Sequence, residues 1–220
     1  MKKIHVLGIM VLTMLALGVV SIASASALEW LEDGLAMTAA KASEATGEIK
    51  IRNTNGGGLG LNFEILCSVT FVGSVGPGAA DEVTSIKELT GASVTLAAPV
   101  SCTNVANCGA PLVSAVNLPW KTKLATVGAL FVDTIEGTPG WEFDCVTVFG
   151  LIEETCTGPV KTDLVNDAAE NDVLGEFNEA EIIANGEQAL CTGGNTKTGT
   201  VNSDGAALLF LTNGLTLAVS

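Results

Sequence analysis

The chain has 220 residues, 24 acidic side chains against ten basic ones, a net charge of −14, one histidine and no tyrosine. So acidic a surface repels nucleic acid and anionic lipid, and the length suits one ordinary domain with a substantial core. The single histidine is His5, inside a leader-like start. A folded body without it holds no Ser-His-Asp or Cys-His site and no histidine-ligated metal.

Lys2, Lys3 and His5 precede an apolar run over residues 6–22, and Ala23-Ser24-Ala25 and Ala25-Ser26-Ala27 supply small residues for cleavage. This is the layout of a secretory signal peptide over residues 1–27, with the cut expected before Leu28. An uncleaved anchor is the rival, since the apolar run is about as long as a short spanning helix; the small residues favour cleavage. No cysteine stands near the cut to carry a lipid, and the most apolar later stretch, residues 206–219, is broken by Asn213-Gly214. The expected product is one secreted β-rich domain over residues 28–220 with no membrane attachment. Loss of Lys2 and Lys3 leaves eight basic residues against 24 acidic ones.

Strand signals then follow one another along the chain. Residues 28–38 read as a hairpin turning at Asp33-Gly34, and residues 47–52 alternate before a loop over residues 53–58. Leu61, Phe63, Ile65, Cys67, Val69 and Phe71 share one face of the cleanest alternating run. A turn region with Pro77 and three glycines covers residues 73–80. Strands are expected over residues 83–89, 93–100, 121–127 and 129–135, and two cysteines frame a small loop over residues 101–111.

Over residues 140–150, Trp141, Phe143, Cys145, Thr147 and Phe149 face one way, opposite Glu142, Asp144, Val146 and Val148. That is a half-buried strand, and Gly150 lets the chain return toward Cys156. Residues 161–181 are the most acidic and read as a surface loop with a strand near Phe177. At the C-terminus, residues 198–202, 206–212 and 215–220 are separated by Ser203-Asp204-Gly205 and Asn213-Gly214. Asn-Gly between apolar runs predicts a hairpin, and the all-apolar residues 206–211 predict a central strand. Many short strands with glycine-rich turns predict an all-β fold, an antiparallel β-sandwich or, alternatively, a β-barrel. Short echoes, such as Cys156-Thr157-Gly158 and Cys191-Thr192-Gly193, have no fixed period, so no solenoid is expected.

All six cysteines lie beyond residue 27, an even count that predicts three disulfides in an exported chain. Short loops favour Cys145–Cys156 and Cys102–Cys108, leaving Cys67–Cys191, although sequence alone does not choose among the many pairings. A metal-cysteine site is disfavoured because no Cys-x-x-Cys occurs.

The Trp30 to Gly34 hairpin, Cys67 in its alternating strand, Asp81-Glu82-Val83-Thr84 after a glycine-rich turn, and Leu118-Pro119-Trp120 form an ordered set. Gly140 to Cys145, Cys156-Thr157-Gly158 and Cys191-Thr192-Gly193-Gly194 complete it. In this order the chain resembles a family of exported β-rich proteins found in many copies in some high-GC Gram-positive bacterial genomes. The resemblance spans nearly all of residues 28–220 and implies a secreted β fold and no particular activity.

No Walker-type loop occurs, and Gly56-Gly57-Gly58-Leu59-Gly60 reads as a flexible turn. The remaining enzymatic pattern is a carboxylate pair. Glu142 and Asp144 share a strand face and resemble the Glu-x-Asp-x-x-Glu strand of one β-sandwich glucanase family. Thr147, however, stands where that family has its second catalytic Glu. Trp120, Trp141, Glu142 and Asp144 are therefore a candidate glycan-binding set, set against the plainer reading of two core tryptophans and two solvated carboxylates. Asp167, Glu170 and Asp172, with Asn166 and Asn171, offer oxygen ligands for calcium, without EF-hand spacing; clustered acids are more often simply solvated. The function expected is a non-catalytic secreted or cell-surface domain, structural or binding a ligand such as a cell-wall or environmental glycan. A carboxylate-dependent glycan hydrolase is the alternative.

Overall fold

The computed structural model describes residues 28–54, 62–88, 101–148, 150–177, 189–192 and 199–220. The leader, the loop over residues 55–58 and the strand expected over residues 93–100 lie outside the described residues. Sixteen strands and one short 3-10 turn make up the described elements.

β1 (Trp30–Glu32) and β2 (Leu35–Ala36) form the expected hairpin, with Asp33 at φ 50° and Gly34 at φ 76° as a type I′ turn requires. β3 (Lys41–Thr54), β4 (Glu64–Val75) and β5 (Ala80–Glu88) follow as an antiparallel meander. Next come β6 (Ser101–Ala106), β7 (Gly109–Val116), β8 (Trp120–Val127) and β9 (Leu130–Ile135). Two hairpins succeed them: β10 (Gly140–Thr147) with β11 (Gly150–Thr157), and β12 (Val160–Asp167) with β13 (Asp172–Phe177). β14 (Ala189–Thr192), β15 (Gly199–Leu211) and β16 (Leu217–Val219) complete the chain.

Strands β13, β12, β9, β8, β5, β4, β3 and β15 pair in that order, and β15 pairs back onto β13, with Val173 opposite Leu209. The result is a closed eight-stranded antiparallel barrel, so closure removes the two free edges a sandwich would have kept. β3, β4 and β15 hold 14, 12 and 13 residues. At about 3.4 Å per residue they are too long for one layer and run on into a second lobe. There β6 adds to β4, while β14, β11, β10 and β7 add in turn to β15. Ile49, Ile51, Phe63, Ile65, Cys67, Phe143 and Cys145 pack as that lobe's core, on the face the alternation marks.

The small sheet of β2, β1 and β16 caps the barrel. Trp30, Met37, Leu217 and Val219 pack on Val75, Leu124, Leu164, Val173 and Leu211 from the barrel strands.

The disulfides differ from those expected. Cys67 joins Cys102, Cys108 joins Cys145, and Cys156 joins Cys191; Cys145–Cys156, Cys102–Cys108 and Cys67–Cys191 do not form. In the β10–β11 hairpin Cys145 faces Ile152, and Cys156 lies opposite Trp141. Four residues of strand, roughly 13 Å, thus separate two cysteines that are near in sequence. Cys102 faces Cys67 across the β4–β6 ladder, and Cys156 faces Cys191 across β11–β14. Register, not loop length, selects these pairs.

Three further expectations change. Residues 161–177 form the β12–β13 hairpin rather than a loop, with Leu164 and Val173 buried while acidic Glu176 stays outside. Ser203-Asp204-Gly205 does not break the chain, because β3 templates β15 through it and Lys50 lies 3.8 Å from Asp204. Asn213-Gly214 is a turn, with Gly214 at φ 75°, but it hands the chain from the barrel to the cap, where β16 pairs with β1.

Candidate functional site

The candidate glycan platform is not assembled. Trp120 and Trp141 are 3% and 9% exposed and pack edge to face, ring centroids 5.5 Å apart. Trp120 Nε1 donates to the Val116 carbonyl at 2.8 Å, so its polar edge is used inside the protein. Glu142 is exposed and Asp144 partly so on the opposite face of β10, which separates the carboxylates from both indoles.

Asp167, Glu170 and Asp172 sit at the β12–β13 turn, where Asp167 pairs with Asp172 and its Oδ1 accepts from the Ala169 amide at 2.9 Å. Burial, then the charges of Glu170 and Asp167, raise the Asp172 carboxyl above its ordinary value. Among the described residues, the one group of three potential metal-ligand atoms within 4.8 Å is Glu154, Cys156 and Cys191. Its sulfurs are joined in a disulfide, and Asn53 Nδ2 donates to Glu154 Oε2 at 2.5 Å.

The constellation with chemical potential lies inside the barrel. A cavity of about 90 Å³ is bounded by apolar side chains such as Phe71, Ile135 and Leu209 and by Ser43, Asp81, Thr122 and Asp133. The register explains the grouping: Asp81 of β5 faces Thr122 of β8, Thr122 faces Ile135 of β9, and Asp133 stands two residues from Ile135. Period-two alternation turns all of them inward.

The two aspartates differ in their satisfaction. Asp81 Oδ2 accepts from Trp30 Nε1 of the cap at 2.6 Å, and Oδ1 accepts from the Gly76 amide at 3.0 Å. Burial pushes its carboxyl up to about 7, helped by the charge of Asp133 and opposed by those two donors. Burial likewise raises Asp133 to about 6, against the nearby Thr122 hydroxyl and the Lys123 and Thr134 amides. Even so, Asp133 Oδ1 and Thr122 Oγ1 are shielded from solvent without a hydrogen bond of regular geometry. Buried acceptors of this kind are uncommon in folded proteins.

Asp81 and Asp133 escaped the candidate set drawn from the sequence. A signal was there: Asp133 alternates with Phe131 and Ile135, a carboxylate on the apolar face of a strand. Nothing local marks Asp81, whose partner Trp30 is 51 residues away.

Three disulfides fit an oxidising, extracytoplasmic setting. No helix among the described residues is long and apolar enough to cross a membrane. No protein-family profile, curated protein or solved structure matches the chain.

Proposed function

We propose that the protein is an exported, non-catalytic binding domain that holds a small ligand inside its barrel. The carrying observation is the cavity of about 90 Å³ with buried, unsatisfied acceptors in its wall. Ligand sites are typically concave and mostly apolar, with a few convergent polar groups, and this interior has that composition. Export rests on the leader pattern of residues 1–27 and on the likeness to exported Gram-positive proteins, and the disulfides suit it. Glu142 and Asp144, away from both tryptophans, give glycan hydrolysis little support.

The test is a screen of small probes by amide and methyl NMR, run beside a reducing-sugar release assay on wall and plant polysaccharides. Probes are expected to shift Phe71, Ile135 and Leu209 together, with no sugar released. Sugar release, or a cavity that no probe perturbs, overturns the proposal.

A further inference from the structure

We infer that the barrel cavity is built for a small organic ammonium, its charged head on Asp133 Oδ1 and Thr122 Oγ1 and its hydrocarbon part along Phe71 and Leu209. This rests on the binding function proposed above.

Among the described residues, the inner wall offers acceptors and no competing cation. β5 contributes Asp81, whose two oxygens already accept from Trp30 and Gly76, so Asp81 adds negative charge without an open lone pair in strong demand. Glu82, also of β5, is ion-paired with Lys121. β9 contributes Asp133, whose Oδ1 is buried without a hydrogen bond of regular geometry, the Thr122 hydroxyl and the Lys123 and Thr134 amides being its nearby donors. Among the described residues, those that β3, β4, β8, β12, β13 and β15 place on the cavity include no titratable side chain. An uncharged ligand brings no countercharge to an ionised Asp133, which has only the neutral donors of Thr122, Lys123 and Thr134 nearby, and an anion meets two like charges in a medium that screens poorly. Calcium takes six to eight oxygens, whereas the described wall has three carboxylates, those of Glu82 and Asp81 already engaged by Lys121 and by Trp30 and Gly76, and a few hydroxyls. An alkylammonium answers each feature: its N–H donors meet the open acceptors as charge-assisted hydrogen bonds, and its chain covers the apolar wall.

The probes are n-butylammonium, n-butanol and butyrate, matched in length and titrated into the disulfide-intact protein at pH 8, followed by the same NMR signals. Butylammonium is expected to bind at least about tenfold more tightly than butanol, and butyrate not at all. Lowering the pH to 5 protonates the aspartates and should erase the ammonium's advantage. Asp133→Asn should erase it at pH 8 while leaving butanol binding in place. Should that variant fail to fold, the pH series on the parent still decides. Equal binding of butanol and butylammonium, or an advantage that survives at pH 5, overturns the ammonium assignment and leaves the binding function standing. Silence from all three probes overturns both.

Discussion

Asp133 shows how one side chain couples stability to pH. Its folded carboxyl is raised from 3.8 to about 6, so the folded state prefers it neutral. That preference is fully present below about pH 4 and is lost as pH rises through about 6. Asp81, raised to about 7 by burial and by Asp133, acts in the same direction. Asp133→Asn removes the titration, so urea melts should show the variant gaining on the parent between pH 4 and pH 8 by on the order of 3 kcal/mol. A parent and variant that track each other across that range would show that Asp133 is not held neutral by the fold. Trp30 is the other informative residue, because its Nε1 satisfies Asp81 Oδ2. Trp30→Phe keeps an aromatic ring in the cap but strands a buried acceptor, at a cost of about 1–3 kcal/mol. The cost should shrink at pH 5, where a protonated Asp81 needs the donor less. Of this site the sequence shows one half: the alternation of residues 130–135 marks Asp133, while Asp81 needs a partner across the fold.

At the scale of elements, alternation identified inward faces well and partners poorly. Ile65, Cys67 and Val69 of β4 and the inward Trp141, Phe143 and Cys145 of β10 are buried as the period of two implies, while Phe71, farther along β4, is only partly covered. Which strand lies alongside depends on contacts distant in sequence, and the disulfides follow those contacts. Non-reducing peptide mapping should therefore yield Cys67–Cys102, Cys108–Cys145 and Cys156–Cys191 with no free thiol. Each closes a loop of 35 to 37 residues, a constraint on the unfolded chain of about 4 kcal/mol if unstrained. Any other pairing would contradict the ladder of β4 with β6 or of β11 with β14. The β12–β13 hairpin was hidden by its charges: Asp163 faces Glu176 and Asp167 faces Asp172, like-charge pairs that a sheet tolerates on its solvated side at some cost. Those same acids made the turn resemble a calcium loop. Millimolar calcium is expected to raise the melting temperature of the parent and of Asp167→Asn/Asp172→Asn alike, through screening of the net charge. A response confined to the parent would establish a calcium site at the turn.

The molecule as a whole is two lobes threaded on the same three strands, and this sharing determines how it should come apart. Gly47 of β3 and Gly205 of β15 lie near the point where those strands leave the barrel, Gly47 facing Ala207 and Gly205 facing Ile49. A Cβ on Gly47 would overlap the Ala206 carbonyl, and one on Gly205, at φ 139°, would overlap the Glu48 carbonyl. The sequence suggested a break at Gly205 because glycine beside Ser-Asp usually signals a turn. Here its conformational freedom serves a bend inside a paired strand. Gly205→Ala should cost more than about 2 kcal/mol, combining overlap with a disfavoured backbone conformation. Because β3 and β15 carry the distortion into both lobes, Ile51 in the second lobe and Leu164 in the barrel should lose amide protection with the same denaturant dependence. If Ile51 stays protected where Leu164 exchanges freely, the lobes are separable folding units, and the shared strands are a connection between them rather than a common core.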